Sequence, residues 1–219
     1  MKNILVTGGA GFIGSHFVEL LAEKKIKGIV LDKLTYAGNS VNLRHISPEY
    51  YELIEGDIAD RDLVRGLLSS KKIDAVVHLA AESHVDRSIQ SAAPFIQTNI
   101  VGSFVMLEES LRYWREMDQP NRFKFVQVST DEVFGALGET GKFNEQTPYD
   151  PRSPYSASKA SADQLGFSFF HTHHLPVTIT HCTNNYGPRQ YPEKLIPFMI
   201  RQALSGRDIG VYGDGRNVR

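Results

Sequence analysis

The 219-residue sequence holds a single cysteine, Cys182. One cysteine cannot close a disulfide within the chain or build a cysteine-based zinc site, so neither device is expected here, and no metal is expected either. The ordinary expectation for such a thiol is a small buried hydrophobe. Long apolar runs are also lacking. Met1-Lys2-Asn3-Ile4-Leu5-Val6 passes straight into a glycine turn, too soon for a signal peptide or a membrane span. No charge of one sign dominates: 24 Lys and Arg face 25 Asp and Glu, a net of −1. A balanced chain makes no global field that would draw nucleic acid or an anionic membrane, so any phosphate it binds must be held by a local site. There is no internal repeat and no low-complexity tract. A protein of the reducing cytoplasm is expected, with neither nucleic acid nor membrane as partner.

What is present is alternation. Hydrophobic residues make up 41% of the chain, and the length suffices for one large α/β domain or for one domain and part of another. Short apolar runs at 3–7, 28–31, 51–54, 75–79, 125–129 and 177–182 read as strands. Several are continuous, as strands covered on both faces should be. Between them lie helical patterns at 12–24, 60–69, 94–116 and 154–171, with Pro94 and Pro154 suited to first turns. Such repetition predicts βαβ units and a mainly parallel, doubly wound α/β sheet of Rossmann type. Residues 135–154, rich in Gly, Pro, Asp and Thr, read as a long loop, and loops of that length tend to carry function. After Cys182 the texture changes to turn chemistry, then a helix at about 193–205 and a short strand at 209–212. The expected division is a dinucleotide-binding domain at 1–183 and the beginning of a smaller substrate domain at 184–219.

Thr7-Gly8-Gly9-Ala10-Gly11-Phe12-Ile13-Gly14 joins the first strand to the first helix. Glycines allow a tight turn and let backbone N–H groups approach a pyrophosphate, while the helix start adds partial positive charge. Asp32 ends the second strand, 18 positions after Gly14, where a carboxylate accepts hydrogen bonds from a ribose and repels a 2′-phosphate. NAD is therefore favoured over NADP. Asp57 follows the third strand and could face the adenine edge or cap the next helix, a task for which Asp60 is the better candidate. Leu79-Ala80-Ala81 ends the fourth strand with small residues that let backbone lie close to a ligand.

Tyr155 and Lys159 stand at i and i+4 near a helix start, on one face. A free phenol, with a pKa of about 10, is too weak a base at neutral pH, but a neighbouring ammonium or a nicotinamide cation favours the phenolate. Thr130-Asp131-Glu132 ends the fifth strand. Two adjacent acids are costly as structure alone and suit a division of labour in which one gives a proton and the other takes one. A solvated acidic loop remains the alternative reading of that triplet taken alone.

TGGAGFIGS, DKLTYAGN, GDI, HLAAESHVDRS, STDEVFG, SPYSASKA and TNNYGPRQ together resemble the dTDP-glucose 4,6-dehydratase family of extended short-chain dehydrogenases/reductases, over the whole chain. The Thr-Asp-Glu triplet is the specific part, since sugar epimerases carry other residues there. The resemblance implies a mechanism. Tyr155 removes the sugar 4-hydroxyl proton while C4 is oxidised, Glu132 removes the C5 hydrogen, and Asp131 protonates the departing 6-hydroxyl. Thr130 holds the 4-oxygen, and C6 is then reduced. It implies NAD contacts at Gly8, Gly11, Phe12, Ile13, Gly14, Asp32, Lys33, Thr35, Gly38, Asp57, Ile58, Leu79, Ala80, Ala81, Ser83, Thr98, Tyr155, Lys159 and Cys182. Substrate contacts fall on Ser83, Thr130, Asn184, Lys194, Leu195, Tyr212 and Arg219. Lys194 and Arg219 have the chemistry for a phosphate. Family members continue past Arg219, so NAD binding is expected of these residues even where turnover is poor. Val101, Val105, Phe167 and Phe170 lie on helices that pair across a two-fold axis in related enzymes, which implies a homodimer. A UDP-glucose 4,6-dehydratase, another nucleotide-sugar epimerase or dehydratase, and an NAD-binding module without turnover remain the alternatives. His171, His173 and His174 read as a polar helix end rather than a metal site.

Overall fold

Aliphatic runs that are apolar at every position can be buried only if both faces of their sheet are covered. The computed structural model, which describes residues 3–137, 140–211 and 213–215, is built on that solution. Strands β1 (Asn3–Thr7), β2 (Lys27–Asp32), β3 (Tyr51–Glu55), β4 (Ala75–His78), β5 (Lys124–Thr130) and β6 (Val177–Cys182) pair in parallel, in the order β3-β2-β1-β4-β5-β6. This is the doubly wound Rossmann order, and its direction reverses between β1 and β4. Alternate side chains of β1 enter opposite layers. Leu5 packs with Ile29, Leu31, Val64, Met106 and Phe125 on one side, and Ile4 and Val6 pack with Val18, Val30 and Leu43 on the other.

The helices are α1 (Phe12–Glu23), α2 (Arg61–Ser70), α3 (Val85–Gln90), α4 (Ala93–Phe95), α5 (Ser103–Arg115) and α6 (Pro154–His173), with α7 (Leu195–Leu204) after the sheet. Asp60 caps α2, its carboxylate accepting from Leu63 N–H at 3.1 Å. Ser153 and Ser156 form a reciprocal capping box at the start of α6, with Pro154 in its first turn. His174 ends α6 in the left-handed conformation, just beyond His171 and His173.

Three expectations are corrected. The helix expected at 94–116 is not uniform: Ile96–Gly102 is a π-helical segment between α4 and α5. Gly102 sits there against Ile58, where an added Cβ would lie 2.6 Å from Cδ1. Val105 is core, 5% exposed, whereas Val101, Phe167 and Phe170 on the same helical faces are exposed. Finally, residues 209–211 form no strand, and Tyr212 lies outside the described residues. A strand exists only within a ladder, and no described residue pairs with that run. The chain divides into two compact units, residues 1–185 and 186–219. Among its described residues the second holds turns and α7, which follows Lys194 and leaves Leu195, Ile200 and Leu204 exposed.

A buried polar column ties β1, β4 and α5 together. His78, 1% exposed, meets the Thr7 hydroxyl through Nδ1 at 2.7 Å and the Ser103 hydroxyl through Nε2 at 2.9 Å. The Ala80 N–H donates to the same Thr7 oxygen at 3.2 Å. Burial, with a smaller push from the Lys159 ammonium, lowers the imidazole to about 3, so the ring is neutral. An unfolded histidine, near 6.5, takes up its proton first as pH falls. This group's contribution to stability is therefore complete above about pH 6.5 and is lost from there towards pH 3, by roughly 3 kcal/mol at pH 4. His78→Asn is expected to start less stable at pH 7 and to lose less on acidification, read as urea midpoints at pH 7 and pH 4. An equal acid loss in both proteins would show that another group is responsible.

Candidate active site

The turn after β1 is a close approach of backbone to backbone. Gly8 has φ +69, and a Cβ there would stand 2.7 Å from Ala80 N at the end of β4. A Cβ on Gly14 would collide with the Gly8 carbonyl. Only glycine fits either position. Gly11 is the N-cap of α1 and brings no side-chain acceptor. The first-turn N–H groups of Phe12, Ile13 and Gly14 thus face the sheet's carboxyl edge from a helix start suited to an anion.

Asp32 ends β2 beside this turn, 8% exposed. One carboxylate oxygen accepts from Ala10 N–H and the other from Leu34 N–H, both at 2.9 Å. Burial raises this carboxyl, and the two backbone bonds oppose the rise. Each oxygen keeps a lone pair for a further donor such as a ribose hydroxyl. Gly38 packs on the same carboxylate, where its Cβ would lie 2.5 Å from Oδ1. Lys33 and Asp57, from successive strand ends, are joined at 2.6 Å. Burial pushes the Asp57 carboxyl up, but the Lys33 ammonium and the Ala59 N–H outweigh it and hold it below the usual range.

At the other end of the edge, β5 delivers Thr130, which caps the 3-10 turn Asp131–Phe134 by accepting from Glu132 N–H at 3.2 Å. Tyr155, on the first turn of α6, meets this triplet. Its phenol lies within electrostatic reach of the Thr130 hydroxyl and of the Glu132 and Asp131 carboxylates. Tyr155 also packs edge-on against Phe95. The phenol is raised well above its ordinary value, by burial first and by Glu132 next, with the Thr130 hydroxyl opposing. The expected lowering by Lys159 is not what this arrangement produces. The Lys159 ammonium, 4% exposed, donates instead to the Val128 carbonyl at 2.8 Å. Burial lowers its own pKa, against the Asp163 carboxylate.

Other expected positions are spread along the same edge. Leu79, Ala80, Ala81 and Ser83 are half-buried after β4, and Thr98 is half-buried in the π segment. Thr35 is exposed beyond Asp32, whereas the Ile58 side chain is core, 4% exposed. Cys182 is half-buried rather than fully so, because it ends β6, where its thiol donates to the Ser129 carbonyl at 3.4 Å. Asn184 is exposed just beyond β6. Lys194, half-buried, and Leu195, exposed, begin α7 in the second unit. Arg219, like Tyr212, lies outside the described residues.

Two supporting residues were not singled out from the sequence. Asn99, 1% exposed in the π segment, accepts from Glu82 N–H and donates to the Glu82 carbonyl and the Ser158 hydroxyl, each at 2.9 Å. It pins the loop after β4 to the helix bearing Tyr155. Asp163, wholly buried, accepts from Gln127 at 2.7 Å, from Ser129 at 2.6 Å, and from Tyr149 at 3.2 Å, with His181 Nε2 also at 3.2 Å. The signal was available: a polar residue on an apolar helical face, and in one case an acid four positions after Lys159. Asp163→Ala would strand several buried donors and is expected to cost about 3 kcal/mol in urea unfolding. Asp131→Ala, on a half-buried turn, is expected to cost under about 1 kcal/mol. Equal losses would deny Asp163 its structural weight.

A family model described as GDP-mannose 4,6 dehydratase matches residues 5–219. The chain is 53% identical over 222 residues to a dTDP-glucose 4,6-dehydratase of Xanthomonas campestris pv. campestris (strain B100), covering 100% of this chain and 63% of that protein. It is 53% identical over 223 residues to that of Neisseria gonorrhoeae, covering 100% and 64%. Among solved structures, the Streptomyces venezuelae dTDP-glucose 4,6-dehydratase, crystallised with NAD, matches at a TM-score of 0.90 and 44% identity, covering 99% of this chain and 66% of that one. A UDP-glucose 4-epimerase of Thermotoga maritima matches at 0.87 and 33%, covering 98% and 67%. The chain thus spans a little under two thirds of the length of the curated relatives it matches. With the family model matched over residues 5–219, the chain belongs to the GDP-mannose 4,6-dehydratase family.

Proposed function

We propose that this chain carries the NAD site and the acid–base groups of a dTDP-glucose 4,6-dehydratase, a hydro-lyase that forms dTDP-4-keto-6-deoxyglucose. The observation that carries this reading is the packing of the helix that begins with Pro154 and Tyr155 against the turn Asp131–Phe134, which puts the phenol in the field of Glu132 and Asp131. An epimerase needs a base at the 4-hydroxyl but neither a C5 base nor a C6 acid. Two carboxyls beside the tyrosine supply both. Substrate names of the relatives point the same way.

The edge fits the coenzyme. Gly8 and Gly14 leave no side chain over the turn, α1 starts without a side-chain cap, and Asp32 keeps free lone pairs. The chemistry that bound NAD supplies is reversible hydride exchange, out of sugar C4 and back to C6. The chain's own residues manage the protons. Tyr155 takes the 4-hydroxyl proton while Thr130 holds the 4-oxygen. The 4-keto group acidifies the C5 hydrogen, which Glu132 removes. Asp131 donates to the 6-oxygen, which leaves as water, and Glu132 then returns its proton to C5. Lys194 and Arg219 hold the diphosphate within a substrate region beginning near residue 184. The exposed Val101, Phe167 and Phe170 support a homodimer. One cysteine, balanced charge and the absence of a membrane-length apolar helix among the described residues support a cytoplasmic site of action.

Purified protein incubated with NAD and dTDP-glucose is expected to form a 4-keto-6-deoxy product that absorbs in alkali. Glu132→Gln should lower kcat by about a hundredfold or more, the scale of general acid–base catalysis, with NAD still bound. Retained NAD binding without product would leave an NAD-binding module. Loss of both would sink the reading.

A further inference from the structure

The loop after β2 folds back on itself over the sheet edge. Leu34 takes a left-handed φ of 52° and is held by its N–H on Asp32. Five residues later Asn39 N–H returns to the Ala10 carbonyl of the glycine turn at 3.0 Å. Tyr36 lies between these two ties. From the other side comes α3, which follows β4. Its Arg87 guanidinium stacks on the Tyr36 ring, with Cζ 3.9 Å from the centroid. The next residue, Ser88, is buried and accepts from Tyr155 N–H at 3.1 Å.

Strands β2 and β4 flank β1 in the sheet, each about 4.8 Å away. A contact between their following segments therefore spans the carboxyl end of β1, where the glycine turn lies. We propose that Arg87 and Tyr36 are positioning residues that form a clasp over the glycine turn and slow the release of a bound dinucleotide. The inference rests on the coenzyme reading above. A contact closed across that turn would act on the rate of passage, in and out, of a dinucleotide held there. It touches neither the sugar-facing triplet nor the phenol. Strain supports the assignment, since a left-handed leucine is retained only where its surroundings fix it, and here Asp32 does so.

The test is displacement of etheno-NAD, followed by stopped-flow fluorescence, from the intact polypeptide and its variants. A partly exposed cation–π contact predicts release two- to fivefold faster for Arg87→Ala and for Tyr36→Ala. The double variant should be no faster than either single one, and Tyr36→Phe, which keeps the ring, should behave as wild type. Association should quicken as well, because the contact is closed in the ligand-free protein, whereas the unfolding temperature of the ligand-free protein should not move. Unchanged release in the single variants, multiplying effects in the double variant, or Tyr36→Phe matching Tyr36→Ala would each overturn the clasp. So would a parallel drop in ligand-free unfolding temperature, which would assign the effect to folding. Failure of the wild type to bind etheno-NAD or NAD would overturn the coenzyme reading and the clasp with it.

Discussion

The carboxylate of Asp163 is the interaction on which the acid–base end of this edge depends. A charge with no exposure is tolerable only when nearly all its lone pairs are used, and here Gln127, Ser129, Tyr149 and His181 gather around it. Those partners come from β5, from the long loop after it and from β6. One turn earlier on α6, Lys159 holds the Val128 carbonyl. The helix thus grips β5 at consecutive residues, 127 to 129, directly before Thr130-Asp131-Glu132. Tyr155 lies on the same helix, so its distance from the triplet is set by the grip rather than by the mobility of a loop. A buried charge contributes little net stability against an apolar replacement, but it fixes register, and register is what a multi-residue proton relay needs.

The dinucleotide end depends on a different constraint, the absence of atoms. With a net charge of −1, the chain offers no long-range attraction to a diphosphate. Attraction has to come from backbone dipoles at short range, which requires the backbone to be reachable. Gly8 against Ala80 and Gly14 against Gly8 are the two places where one methyl group would close that access. The His78 column serves the same geometry from below. It holds the Thr7 hydroxyl, which holds Ala80 N–H, so the wall opposite Gly8 is tied to buried hydroxyls rather than left to loop packing.

Much of this was legible in the sequence, for reasons that differ between features. Continuous aliphatic runs such as those at 28–31 and 75–79 marked the strands to within a residue or two, because a strand covered on both faces has no other composition open to it. The glycine spacing and Asp32 were readable because their requirement is local. The π segment was not readable, since its pitch comes from packing Gly102 against Ile58 across 44 positions and from aiming Asn99 at Glu82 and Ser158. Asp163 could be noticed as an acid four positions after Lys159, but its role could not be read, because its four partners stand 14 to 36 positions away. The run at 209–211 has strand composition, but composition cannot provide the neighbouring strand that a ladder needs.

The tyrosine is where local reasoning and three-dimensional electrostatics part. Sequence spacing placed an ammonium one turn from the phenol, and the expected outcome was a weakened O–H bond. In the fold, the same ammonium is directed at a backbone carbonyl, while two carboxylates and a dry environment face the phenol. Each of these favours the neutral form. A phenol held in that way is a poor base on its own, and the Glu132 and Asp131 carboxylates make it poorer. A positive charge beside the ring would favour the phenolate, and oxidised nicotinamide is a cation. In the proposed reaction, proton removal from the 4-hydroxyl would then be conditional on an oxidised coenzyme being in place. The acidic pair would serve two ends: proton transfer at C5 and C6 once the keto group exists, and suppression of the tyrosine when no oxidised coenzyme is bound.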